Sequence, residues 1–148
     1  MNLKESPPSA QKILCLDIGS KRIGLALWNP GAKLSRPLDI LKRKTLKSDL
    51  DYLREIVLKE EIESFLVGIP WGLNEQSTQS TKNALFWKET LEKTFSLPVY
   101  THDESFSTQE AVDLLRDRGV KVRSKTAAEK KDSFAAALIL EEFIRATQ

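Results

Sequence analysis

The most restrictive feature of the sequence is a short apolar run that ends in a carboxylate. Residues 13–16 (ILCL) carry no charged side chain, and Asp17 follows this run directly. A strand with no polar side has to be covered on both faces, which is typical of a central strand in an α/β sheet. Burying an unpaired carboxylate is costly, so Asp17 needs hydrogen-bond donors or a cation. As a turn residue it would instead bind the amides that follow it.

Apolar runs and helical stripes along the rest of the chain predict the order β-β-β-α-β-α-β-α-α. A three-strand antiparallel meander, followed by alternating helices and strands, predicts an α/β fold with a mixed five-stranded sheet and helices on both faces. The ribonuclease H-like architecture has this order. The predicted strands are residues 13–17, 23–28, 36–43, 65–69 and 97–100, and the predicted helices begin near Ser48, after residue 79, near Ser107 and near Thr126.

Length and composition limit the class of protein. The 148 residues suit one domain, expected over residues 11–148, with residues 1–10 as a disordered tail. With 23 basic and 21 acidic residues, the net charge of +2 does not by itself indicate a nucleic-acid partner. One cysteine and one histidine exclude a disulfide framework and a Cys- or His-rich metal site. No apolar run is long enough to span a membrane, so a cytoplasmic location is expected.

Three acidic positions are candidates for a shared site. Asp17 ends the first strand, Asp103 and Glu104 follow the fifth strand, and Asp132 lies in line with the apolar stripe of the last helix. Sites in α/β sheets form at the carboxyl ends of strands, and carboxylates without histidine suit Mg²⁺ or Mn²⁺. Two such ions about 4 Å apart serve in-line displacement at a phosphodiester. Acids near a helix start are also explained by the helix dipole alone.

Four segments resemble, in order, the motifs of the YqgF family, also called RuvX-like or Holliday-junction-resolvase-like nucleases. They are residues 17–24 (DIGSKRIG), 67–70 (VGIP) with Asn74, 102–108 (HDESFST) and 131–140 (KDSFAAALIL). The resemblance covers nearly the whole chain and implies a ribonuclease H-like fold and metal-dependent nuclease activity. By motif position it assigns Asp17, Glu104 and Asp132 as the catalytic and metal-binding carboxylates. Ser105 departs from the arginine that the family usually has there.

The resemblance also implies a biological role. The better-supported role of the family is maturation of the 5′ end of pre-16S ribosomal RNA, so we expect an Mg²⁺- or Mn²⁺-dependent endonuclease that acts on RNA as a monomer or weak homodimer. One alternative is a resolvase of four-way DNA junctions, which should be a two-fold dimer. Another is a non-catalytic RNA- or ribosome-associated protein. An ATPase of the actin and sugar-kinase type shares the Asp-x-Gly-Ser turn but needs a second domain.

Basic and small residues near the motifs are candidates for substrate contact and for turn geometry. Residues 116–131 hold seven basic and two acidic side chains, which predicts either a nucleic-acid track or a solvated loop. A second basic cluster, residues 42–47, is expected to be plain surface. Trp71 is expected either to stack on an unpaired base or to pack under its loop. The candidate substrate-binding residues are Lys21, Arg22, Asn74, Arg123, Lys125 and Lys131, and the motif residues are Gly19, Gly24, Gly68 and Pro70.

Overall fold

The computed structural model describes residues 7–32, 35–71, 76–104 and 127–147, and within the last segment it describes side chains from Phe134 onward. The helix predicted near Ser107 lies outside the described residues, as do Asn74, Arg123 and Lys125.

The described strands form one mixed sheet. They are β1 (Ile13–Ile18), β2 (Arg22–Trp28), β3 (Arg36–Pro37), β4 (Leu41–Lys42), β5 (Ser64–Ile69) and β6 (Val99–Asp103). The order across the sheet is β3-β2-β1-β5-β6, and β4 also pairs with β2. Strand β1 is antiparallel to β2 and parallel to β5, which is parallel to β6. The predicted meander followed by parallel strands is therefore confirmed.

Two strand predictions differ from the structure. The third strand, predicted over residues 36–43, is broken into β3 and β4. Pro37 has no N–H for the ladder, and residues 39–40 leave it after a last bond from the Leu38 N–H to the Leu25 carbonyl at 2.8 Å. The fifth predicted strand, expected over residues 97–100, is β6 and extends to Asp103. Its polar end lacks an apolar signal, yet it pairs with Gly68 and Ile69 of β5. Glu104 therefore follows the strand directly.

Three helices are described, and they cover both faces of the sheet as predicted. Helix α1 (Leu46–Glu60) is capped by Thr45, whose hydroxyl accepts the Ser48 N–H, so the cap lies three residues before the predicted one. Helix α2 (Gln79–Phe95) begins with a capping box between Thr78 and Thr81. Helix α3 (Ala127–Ala146) is the last predicted helix.

Side-chain alternation along β1 divides the molecule into two cores. Leu14 and Leu16 pack on the side of α1 and α2, in a cluster with the buried Leu53 and Trp87. Ile13 and Cys15 pack on the side of α3, in the other cluster. Because side chains alternate between faces, Asp17 belongs to the α3 side of the sheet.

The N-terminal segment predicted as a tail contains a short element of regular structure. Residues Pro8–Ala10 form a 3-10 turn within the segment predicted as a disordered tail. The Trp28 indole Nε1–H donates to the Ser9 carbonyl at 3.0 Å, which holds this turn against β2. In the part of the chain that the structure describes, no helix is long and apolar enough to cross a membrane.

Candidate active site

At the carboxyl edge of the sheet, the Asp17 carboxylate lies between two glycine residues. Asp17 pairs directly with Gly24 across the antiparallel β1–β2 ladder. On the other side, β1 and β5 are in register up to Leu16 and Val67, so Gly68 is the next neighbour of Asp17. Continuing across the sheet, Gly68 pairs with His102 of β6. Asp17 is therefore flanked within the sheet by two glycines.

Glu104 brings a second carboxyl group to the same place. Its backbone N–H donates to the Ile69 carbonyl at 3.0 Å, which fixes the chain just past β6. Burial raises the pKa of the Glu104 carboxyl, and its hydrogen bond with Asp17 offsets part of that rise. Two carboxyl groups bond in this way when they share a proton. The same pair of oxygen ligands suits a hard cation in place of that proton.

A buried thiol lies beneath the carboxylates. Cys15 is fully buried, as predicted for a small core residue. Burial raises the pKa of its thiol well above the ordinary value, and the negative charges of Asp17 and Glu104 raise it further. The thiol therefore stays protonated, so the buried residue beneath the acidic pair is uncharged.

Gly68 is required by the packing around Glu104. A Cβ atom built on Gly68 would lie 2.9 Å from Ile139 Cδ1 of α3 and 3.4 Å from Glu104 Oε2. The first distance is shorter than side chains tolerate, and the second is ordinary contact. The absent side chain thus lets α3 approach the sheet next to the carboxyl pair.

The β1–β2 turn forms a basic rim beside Asp17. Asp17, Gly19, Ser20, Lys21 and Arg22 line a cleft of about 230 Å³. The Gly19 N–H donates to the Arg22 carbonyl at 2.9 Å, and a Cβ on Gly19 would lie 2.6 Å from that oxygen. The turn therefore needs glycine at this position. Lys21 is exposed and Arg22 is partly buried, so both predicted phosphate contacts lie at the rim of the cleft.

Arg43 holds this turn from behind. Its guanidinium Nη1–H donates to the Gly19 carbonyl at 2.7 Å, and its backbone N–H donates to the Lys21 carbonyl at 2.9 Å. The guanidinium also lies 5.7 Å from the centroid of the buried Trp87 ring. The expectation that residues 42–47 are plain surface is therefore wrong for Arg43. A bond from a side chain to a distant backbone carbonyl leaves no motif in the sequence.

We expect Arg43→Ala to loosen the turn. The loss of a charged hydrogen bond to Gly19 should lower the free energy of unfolding by about 1–2 kcal/mol, measured by urea titration. For the nucleic-acid substrate that the sequence motifs imply, KM should rise several-fold while kcat changes less, because the carboxylates are untouched. Lys44→Ala removes the same charge from the neighbouring exposed residue and should leave both quantities near wild type. Equal effects in the two variants would show that Arg43 contributes charge alone.

The remaining predicted residues fall into two groups. Pro70 follows β5, and its carbonyl accepts the hydroxyl of the buried Thr81. Lys131 and Asp132 lie in α3, seven residues or more before Ile139, but their side chains are outside the described part of the structure. Among the described side chains, the carboxylates brought together are therefore Asp17 and Glu104, and no group of three or more His, Cys, Asp or Glu forms.

His102 packs near the carboxyl pair but faces α3. Its ring lies 3.5 Å (Nε2) from Glu142 Oε1 and edge-on to the Phe143 ring, with centroids 6.2 Å apart. These contacts join β6 to the last two turns of α3. Asp103, the other member of the acidic pair in the sequence, turns away and accepts the Trp71 indole N–H at 2.9 Å. The structure thus selects Glu104 over Asp103 as the partner of Asp17.

The sheet order, the helices on its two faces and the carboxylates at its carboxyl edge define a protein of the ribonuclease H-like fold. RuvC from Thermus thermophilus superposes with a TM-score of 0.57 at 17% identity, covering 91% of this chain and 95% of that one. Fowlpox virus resolvase, solved with Holliday-junction DNA, superposes with a TM-score of 0.61 at 11% identity, covering 91% and 97%. At these identities the likeness shows the fold.

Sequence comparison narrows this class to a family. The model of the RuvX family, described as Holliday junction resolvase, matches residues 11–146, and the chain belongs to that family. A relative from Koribacter versatilis is 36% identical over 142 residues, covering 96% of this chain and 92% of its own length. One from Wolbachia pipientis is 31% identical over 137 residues, covering 93% and 87%. Both are provisionally named pre-16S rRNA nucleases. The family resemblance seen in the motifs is confirmed.

Proposed function

We propose that this protein is a divalent-metal-dependent endonuclease that hydrolyses phosphodiester bonds at the 5′ end of pre-16S ribosomal RNA in the cytoplasm. The observation that carries the proposal is the hydrogen-bonded pair of Asp17 and Glu104 at the carboxyl edge of the sheet, where Asp17 also lines the cleft of about 230 Å³ at the β1–β2 turn. A nuclease site needs this combination of concentrated acidic oxygens and room for a phosphate.

The donor set fits Mg²⁺ or Mn²⁺. Asp17 and Glu104 supply carboxylate oxygens within hydrogen-bond reach of each other, and burial, which raises the pKa of the Glu104 carboxyl, disfavours its charged form unless a positive charge lies near. We assign Asp132 of α3 as the third ligand, because helical spacing puts it on the face of Ile139, which contacts the site glycine. When bound, divalent metal would lower the pKa of an attacking water and neutralise charge on the phosphate.

The chain itself supplies substrate contacts on the basic side of the cleft. Lys21 and Arg22 line the same cleft as Asp17, where they can bind the phosphate backbone. We assign the same role to Arg123 and Lys125, before α3, and to Lys131, within α3. We assign a contact with the substrate to Asn74. The proposal includes a precursor of the small ribosomal subunit as the partner and a monomer or weak homodimer as the active form.

A second candidate function is resolution of four-way DNA junctions. The description of the family model and the fowlpox resolvase fold favour it. The same carboxylates would serve either substrate, so the site geometry alone does not separate them. A resolvase must cut two strands symmetrically, which requires two copies of this chain on one junction.

The two functions differ in a direct cleavage assay. We expect the protein with Mn²⁺ to cut a labelled precursor-rRNA 5′ fragment and to leave a four-way DNA junction intact. Chelation of the metal with EDTA should stop cleavage, and Asp132→Asn should be as inactive as metal-free protein.

Symmetric cuts in the junction with intact RNA would instead identify a resolvase. Equal activity of the wild-type and Asp132→Asn proteins would remove Asp132 from the metal site. No cleavage of either substrate with either metal, together with RNA binding, would support a non-catalytic role.

A further inference from the structure

Trp71 stands apart from the other tryptophans of the chain. Its side chain is 39% exposed, whereas Trp28 is 5% and Trp87 is 0% exposed. It follows Pro70 at the carboxyl end of β5, on the same edge of the sheet as Asp17 and Glu104. A large aromatic ring left partly in water at this edge is not needed for either core, since neither cluster contains it.

Two contacts hold the ring in place. On one side, the indole Nε1–H donates to Asp103 Oδ1 at 2.9 Å. On the other, the Pro70 carbonyl accepts the hydroxyl of Thr81, which is fully buried in the first turn of α2. The backbone before Trp71 and the edge of its ring are thus both fixed. The one polar atom of the side chain is satisfied, so the exposed remainder is apolar ring surface.

The position of the ring relative to the carboxylates points to its ligand. Asp103, which anchors the indole, is next in sequence to Glu104, and the two leave β6 toward different sides. Because Trp71 and Glu104 follow the carboxyl ends of the neighbouring parallel strands β5 and β6, a strand of nucleic acid whose phosphate lies at Glu104 and which continues along that edge would bring its neighbouring nucleotides past Trp71. An unpaired nucleobase presents a flat π-face, and aromatic rings held at the edge of such a path bind bases by stacking.

We infer that Trp71 forms a stacking subsite for an unpaired nucleobase next to the scissile phosphate, with Asp103 as the residue that orients the ring. This inference rests on the proposed nuclease function, and it adds a requirement to it. The substrate must be single-stranded or distorted beside the cut, since a base inside a regular duplex has no free face to offer.

Intrinsic fluorescence tests the subsite without cleavage. Because Trp28 and Trp87 are buried, Trp71 should dominate the part of the emission that a ligand can change. In EDTA, a single-stranded RNA from the precursor 5′ region should quench wild-type emission, and Trp71→Phe should lose that quenching while still binding. Fluorescence anisotropy of the labelled RNA should show about tenfold weaker binding for Trp71→Ala and near wild-type binding for Trp71→Phe. The same RNA with an abasic position beside the cut should bind wild type as weakly as intact RNA binds Trp71→Ala.

The matched variants of the anchor complete the test. Asp103→Asn keeps an acceptor oxygen and should behave as wild type, whereas Asp103→Leu should weaken binding part of the way toward Trp71→Ala. RNA that binds without quenching, or equally to Trp71→Ala, would overturn the subsite and leave the nuclease proposal standing. RNA that is neither bound nor cleaved would overturn both. Quenching by precursor ribosomal particles alone, when naked RNA binds without it, would assign the ring to a protein partner and overturn the inference.

Discussion

Asp17→Asn is expected to abolish metal-dependent cleavage while the protein stays folded. Changes to residues that merely support a metal ligand cost about 10–100-fold in affinity or activity, so loss of a ligand charge should reduce kcat/KM by more than about a hundredfold. The asparagine amide can donate to Glu104, so the contact between the two side chains survives. Without metal, the variant should therefore be at least as stable as the wild type.

Thermal unfolding with and without Mn²⁺ separates these effects. A ligand that binds only the folded state stabilises it by RT ln(1 + [L]/Kd), so Mn²⁺ should raise the Tm of the wild type and have little effect on Asp17→Asn, whose affinity for the metal is lowered. Asp51→Asn is the matched control, since Asp51 is an exposed residue of α1 whose partner is Lys47. A variant that retained cleavage, with Asp51→Asn unchanged, would exclude Asp17 from the metal site.

Gly68→Ala is expected to cost both stability and activity. Its methyl group would lie 2.9 Å from Cδ1 of Ile139, which is fully buried. Relief requires the Ile139 side chain to leave its rotamer or α3 to shift from the sheet, and overpacking of this kind costs about 1–3 kcal/mol of unfolding free energy. Because α3 also carries Asp132, we expect cleavage to fall by about tenfold or more.

A second substitution tests that explanation. Ile139→Val removes Cδ1, the atom that the new methyl group would strike, while the contact with Glu104 Oε2 at 3.4 Å is of ordinary length. The double variant should therefore regain most of the lost stability and activity relative to Ile139→Val alone, in a double-mutant cycle of urea unfolding and cleavage. Stability regained without activity would show instead that the methyl group disturbs Glu104 directly.

The sequence predicts the parts of this fold that depend on local pattern. The buried strand ending in Asp17, the meander and the amphipathic helices all follow from short-range periodicity. The choice between Asp103 and Glu104 does not, because it depends on which face each side chain takes after β6. The face that each side chain takes is set by the pairing of β6 with Gly68 and Ile69, which are far away in the sequence. The resemblance to a family selected Glu104 where the residues alone left both open.

Contacts between a side chain and a remote backbone atom are the other limit. Arg43 looks like one member of a basic cluster, and its bond to the Gly19 carbonyl depends on β4 lying beside the end of β2. The break in the third strand creates that placement, and no residue type in the sequence indicates where the break falls. Trp71 is intermediate, since the sequence left stacking on a base and packing under the loop as alternatives and did not indicate the anchor at Asp103.

The two cores also divide the chain for protein engineering. The proposed ligands lie on the α3 side of the sheet. The opposite layer reaches the carboxyl edge through Arg43 over the Trp87 ring, through the Thr81 hydroxyl on the Pro70 carbonyl, and through the apolar cluster that includes Ile18 and Ile69. The layer of α1 and α2 can therefore be redesigned, shortened or fused to another domain as a scaffold, provided that Trp87, Thr81 and the apolar cover of Ile18 and Ile69 are kept. A library of variants confined to that layer would mainly change stability, whereas a library built on α3 would mainly change catalytic activity.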